Sequence, residues 1–165
     1  MKRFLPSRLM IFAGVLGVAA ATAQMDQDVD ITKIRKKFDL REAILRKFFN
    51  DNHCPAEPYA GVFVTEADAH GLDWRLLPSL SIVESGGGKY AKGNNLFGWA
   101  NGKTKFGSVT EAIHHVASAL AFARPYKGKD TDGKLLAYNH STDYKAMVAQ
   151  IMRQISPTTR AETGD

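Results

Sequence analysis

Glu84 stands at the end of an apolar run, in Ile82-Val83-Glu84-Ser85, and Gly86-Gly87-Gly88-Lys89 follows it. A carboxylate in the last turn of an apolar helix is opposed by the helix dipole and by its greasy neighbours, which favour its protonated form. A carboxylic acid kept protonated is the proton donor that glycosidic bond cleavage requires. The three glycines leave the backbone open to a bulky ligand. The plainer reading of the same residues is a solvated helix end followed by a flexible loop. Ten residues on, Asn94-Asn95-Leu96-Phe97-Gly98-Trp99 supplies amides and aromatic rings. Those groups suit a sugar, which presents hydroxyls and flat C–H faces.

Other reactive residues form weaker patterns. His114 and His115 are adjacent on a predicted helix, so their side chains diverge, and no H-E-x-x-H is present; no metal and no cofactor is expected. Cys54 follows His53, but neighbouring side chains do not make a nucleophile–base pair, and Pro55 marks a turn. Lys127-Gly128-Lys129 lacks the glycine spacing and the Ser/Thr of a phosphate loop. Lys103 and Lys105 read as a solvated face that could attract an anionic wall polymer.

The elements that position these residues are mostly helical. Ile34, Phe38, Leu45, Phe48 and Phe49 recur at helical spacing and predict a helix over 31–50. A second helix is expected from Pro58 to His70, ending at Gly71, and a third from Leu77 to Ser85. Ser108-Val109-Thr110-Glu111 spells a capping box and opens a helix with Ile113, Val116, Ala117 and Leu120 on one face. A short helix around Leu135–Tyr138 and a last one from Asp143 to Ile155 complete the set. Between Leu96 and Phe106, two β-prone stretches flank Asn101-Gly102 and predict one hairpin. The expected fold is thus mostly α, with five to six helices and that small hairpin. Its core would hold Trp74, Leu77, Leu80, Val83, Ile113, Val116, Leu120, Val148 and Ile151.

An E-S-G-x-G-K segment followed closely by N-N-L-F-G is similar to the glucosaminidase domain of glycoside hydrolase family 73. That family includes bacterial autolysins. The resemblance spans Tyr59 to Ile155 and takes in Tyr138-Asn139 and Tyr144, which look like the family's C-terminal tyrosine motif. It implies a lysozyme-like helical domain that cleaves the β-1,4 bonds of peptidoglycan strands as an endo-β-N-acetylglucosaminidase. Matched residue by residue, Glu84 looks like the catalytic acid and Tyr138 like the tyrosine near the scissile bond. Asn95, Phe97 and Trp99 fall where the family lines its sugar groove, Trp99 in place of a commoner aliphatic residue, and Ser85 and Tyr144 are counted as substrate-binding. The chain departs from the pattern in two places. Tyr138 is followed by Asn139-His140-Ser141-Thr142-Asp143 rather than a compact A-T-D, and no Asp or Glu lies between Tyr90 and Phe106. Asp130, Asp132 and Asp143 remain as remote second acids, each read first as a turn or cap residue. Two alternatives stay open: a lytic transglycosylase, which also relies on one glutamate, and a non-catalytic wall-binding module.

The whole chain of 165 residues is 44% hydrophobic and 24% charged, which excludes a disordered tail and a multi-spanning membrane protein. Lys2, Arg3 and Arg8 precede an apolar run from Leu9 to Ala21, and Ala21-Thr22-Ala23 follows. This pattern predicts a signal peptide over 1–23, cut after Ala23, and an exported protein in the periplasm, wall or medium. Removing those three basic residues lowers the net charge from +5 to +2, so nothing calls for nucleic acid as a partner. The remaining chain divides into a leader and helix over 24–56, a glucosaminidase domain over 57–156 and a flexible tail over 157–165. A monomer without a stable membrane anchor, acting on an amino-sugar glycan, is the expectation.

Overall fold

The structure is a computed structural model and describes residues 39–156. The expected signal peptide, the acidic leader, Ile34, Phe38 and the C-terminal tail lie outside the described residues. Asp39 accepts from the backbone N–H of Arg41 and caps α1 (Leu40–Asp51), whose Leu45 and Phe49 are buried. Pro58 sits in a 3₁₀ turn (Glu57–Tyr59) that leads into α2 (Ala60–Ala69). Beyond α2, the Leu72 N–H bonds to the Ala67 carbonyl and Gly71 takes φ +61°, a Schellman ending. Next come α3 (Leu76–Ser85), α4 (Val109–Phe122), α5 (Thr131–Tyr138) and α6 (Thr142–Ile155). Ser108, Asp130 and Ser141 each cap the following helix with a side-chain oxygen. In the capping box, Glu111 reaches back to the N–H of Gly107 rather than to that of Ser108.

Six α-helices agree with the helical part of the sequence pattern, but no β-strand is present among the described residues. The hairpin expected at Asn101-Gly102 is therefore absent; only an isolated bridge between Lys92 and Asn95 forms. The two-residue hairpin turn that Asn-Gly favours, type I′, needs φ above zero at its two central residues. Here Ala100, Asn101 and Gly102 are all left-handed, at φ +55°, +56° and +74°, and they wind into a turn bonded from Gly102 N–H to the Gly98 carbonyl. Buried Asn95 supplies what a ladder would have given. Its amide N–H₂ donates to the carbonyls of Trp99 and Thr104 at 3.0 Å each, and its Oδ1 accepts from the Trp99 N–H at 2.9 Å. Side-chain bonding of this kind competes with sheet formation, and here it wins.

The core lies between α3, its principal partner α6, and the α2–α4 pair. Leu77, Leu80, Ile113, Val116, Leu120 and Val148 are buried as expected, whereas Trp74, Val83 and Ile151 are half-buried and pack on its edge. An aromatic spine runs through it, Phe49 to Phe63 at 5.5 Å and Phe63 to Phe97 at 6.4 Å between ring centroids. Burying each such ring contributes about 1.5–3 kcal/mol. Phe97 thereby anchors the loop after the glycines to the same core as α1. Of the three glycines, Gly87 is packed most tightly: a Cβ there would sit 2.6 Å from Cys54 Sγ.

Candidate functional site

Glu84 occupies the last turn of α3 and is half-buried. Tyr144, one turn into α6, donates its hydroxyl to Glu84 Oε1 at 2.5 Å. The close packing of α3 on α6 is what brings these residues together across 60 positions of sequence. On the other side, the backbone of Gly98 presses on the carboxylate. A Cβ there would lie 2.7 Å from Oε2, and the residue has φ +59°, so both space and conformation call for glycine. One oxygen is thus fixed by a donor, and the other is confined against backbone.

The carboxylate opens into a cleft of about 450 Å³ lined by Phe97, Gly98, Trp99, Ala100, Asn101, Tyr126, Tyr138 and Asn139. Tyr138 forms the centre of an aromatic wall: it stacks on Tyr144 at 6.2 Å and 14°, and leans on Trp99 at 6.1 Å and Tyr126 at 6.5 Å. Its hydroxyl donates to the Phe97 carbonyl at 2.5 Å. Burial pushes the hydroxyls of Tyr138 and Tyr144 far above the ordinary phenol range, and the nearby Glu84 adds to both shifts. The two phenols therefore stay neutral donors at any physiological pH. Among the residues lining the cleft, Glu84 is the sole carboxylate.

The sequence-predicted residues divide into two groups. Glu84, Tyr138, Tyr144 and Trp99 converge on the cleft. Ser85 and Asn95 are buried behind it and spend their polar atoms on the scaffold, while Phe97 lines it with its ring turned into the core. The Ser85 hydroxyl shares its one proton between the carbonyls of Leu96 (2.8 Å) and Ser81 (3.1 Å) and accepts from the Gly88 N–H (3.1 Å), pinning α3 to the loop. Asn95 folds that loop, and the Phe97 ring packs inward on Phe63. Neither remote acid with a described partner reaches the cleft: Asp130 caps α5, accepting from the Gly133 N–H at 2.8 Å, and Asp132 pairs with Lys145 at 2.9 Å. Asp143 is exposed in the first turn of α6. Cys54 is buried, and burial raises its thiol.

Tyr126 is a cleft residue that the sequence pattern does not single out, whereas Gly98 and Asn139 appear there as members of the two motifs without a role of their own. Tyr126 sits in the turn after Pro125, where local sequence carries no signal of what it faces. Gly98 was visible only as a motif letter, and its contact with Glu84 exists only in three dimensions. Among the described residues, no helix is long and apolar enough to cross a membrane. No family model, no curated protein and no solved structure matches this chain.

Proposed function

We propose that this chain is an exported peptidoglycan hydrolase that cleaves β-1,4 bonds of amino-sugar strands, as an endo-β-N-acetylglucosaminidase, with Glu84 as general acid. The observation that carries this reading is one carboxylate, held by a tyrosine and a glycine backbone, at the edge of an aromatic cleft. Oε1 accepts from Tyr144, which leaves Oε2 to carry the proton. As the bond between the anomeric carbon and the glycosidic oxygen breaks, that proton passes to the leaving oxygen. Water then adds at the anomeric carbon, giving up a proton that restores the Glu84 acid, and the hydroxyl left on that carbon is the new reducing end. The hydrogen bond from Tyr144 stabilises the carboxylate that Glu84 becomes. Sugar rings stack on Trp99 and Tyr138, whose faces match their C–H surfaces.

Glycosidases with two protein carboxylates hold them about 5–9.5 Å apart. Since Glu84 is alone among the cleft-lining residues, the second role falls to water or to the substrate's own N-acetyl oxygen. The same solitude favours a second reading, a lytic transglycosylase, in which a substrate hydroxyl attacks the anomeric carbon and an anhydro-muramic end results. Mass spectrometry of peptidoglycan digested with the mature protein separates the readings. Reducing N-acetylglucosamine ends are expected; anhydro-muramic ends would replace the first reading by the second, and an absence of products from folded protein would leave a wall-binding module. For export, intact mass of the secreted form should begin at Gln24, and a retained Met1 would refute it.

A further inference from the structure

We propose that Glu66, His70 and His114 form a binding site for one divalent transition-metal ion of the zinc type. Each of the three offers a ligand atom within 4.8 Å of those of the other two. Glu66 and His70 stand four residues apart on one face of the α2 end, and His114 comes from α4, packed alongside. The sequence pattern paired His114 with its neighbour His115 and found no metal geometry. The partners that matter come from α2, 44 and 48 positions away, and only helix packing reveals them.

Four features favour an ion. First, two imidazoles and one carboxylate suit zinc and its neighbours in the transition series rather than calcium or magnesium, which prefer oxygen alone. Second, the groups are close enough to share an ion: Glu66 Oε2 lies 2.9 Å from His114 Nδ1, and a spreading of a few tenths of an ångström reaches the separation of about 3.2–3.6 Å between ligand atoms around a tetrahedral zinc with bonds of about 2.0–2.2 Å. Third, the His70 Nδ1 lies 2.8 Å from the Glu66 carbonyl oxygen. This contact holds the imidazole beside the Glu66 carboxylate, whose Oε2 is 3.4 Å from the same nitrogen. Fourth, the set is part rigid and part accessible. The side chains of His70 and Glu66 are 8% and 18% exposed, and that of His114 is 62% exposed, so an ion can enter from the His114 side. The Phe122 ring, 5.7 Å from that of His70, covers another flank. Three protein ligands leave a fourth tetrahedral position to water. The ion would clamp α2 to α4.

Equilibrium dialysis of the full-length mature chain against zinc chloride tests this. One zinc per chain is expected. His114→Ala, at an exposed position that the core does not need, should weaken binding by about tenfold or more, and so should Glu66→Gln. His140→Ala, which removes an exposed imidazole elsewhere, should leave affinity unchanged. Cobalt in place of zinc should give the visible bands of a four-coordinate ion, and His114→Ala should abolish them. A chain that binds no zinc, or a His114→Ala protein that binds it as well as the parent, would overturn the proposal. The site does not rest on the glycan reading: Glu84→Gln should keep its zinc whatever it does to turnover.

Discussion

Glu84 and Glu66 are two half-buried carboxylates on helices of one small core, and they have opposite company. Glu84 faces a phenol and a glycine backbone; Glu66 faces two imidazoles. The buried phenols hold their protons throughout the physiological range, so they can orient Glu84 but never exchange with it. In the proposed reaction, that leaves Glu84 as the carboxyl group lining the cleft that can deliver a proton. Imidazoles, in contrast, offer ring-nitrogen lone pairs, so the same side chain at Glu66 falls within the ligand set proposed above. A carboxylate's role is decided less by its own position than by the acid–base chemistry of what it touches.

The comparison is broken most directly at Glu84. Glu84→Gln keeps size and hydrogen bonding but has no proton to give, and it should lower turnover of peptidoglycan by about 10²–10⁴-fold. Circular dichroism should show an unchanged fold; near-parental digestion by the folded variant would remove Glu84 from the chemistry. Gly98→Ala comes next. Its methyl would overlap Glu84 Oε2 at 2.7 Å, and a displaced reacting group can cost up to about 10²-fold. The left-handed backbone at Gly98 adds about 1 kcal/mol of instability, visible as a small drop in Tm.

Tyr144→Phe removes the donor on Oε1. A hydrogen bond to a charged group contributes about 1.5–3 kcal/mol, so kcat should fall by about tenfold or more while KM moves little. A loss expressed mainly in KM would make Tyr144 a substrate contact and not an orienting one. Tyr138→Phe should cost only a few-fold, because the ring keeps its stacking and the lost bond to the Phe97 carbonyl is worth about 0.5–1.5 kcal/mol. The smallest effect concerns pH. With both phenols shifted upward, first by burial and then by Glu84, the rate should show no tyrosine ionisation below about pH 10. A break there that disappears in Tyr144→Phe would mean the phenol is more solvated than its surroundings indicate.

Helices were legible because their signals are local. Ser108 with Glu111, Gly71 after His70, and the stripe Ile113–Val116–Leu120 each depend on residues a turn apart. The hairpin was not, because Asn101-Gly102 specifies only positive φ, and a left-handed turn satisfies that as well as a hairpin does. What tipped the balance was Asn95, whose side chain captured the Trp99 and Thr104 backbone groups. Asn95 and Ser85 lie in motif segments as conspicuous as Glu84, but motif letters do not separate a residue that meets the substrate from one that builds the loop behind it.

From the sequence alone, then, came the helical class, most helix ends, the apolar faces and the one glutamate at a glycine-flanked helix terminus. Periodicity and capping act over three to five residues, and the chain order encodes them directly. Only the tertiary structure decided that Tyr144 holds Glu84, that Gly98 closes against it, that Tyr126 joins the wall, and that His114 meets Glu66 and His70. These contacts join residues 12 to 60 positions apart. Their distances depend on how α3 settles on α6 and α2 on α4, and that is set by the packing of the whole core and not by any local pattern.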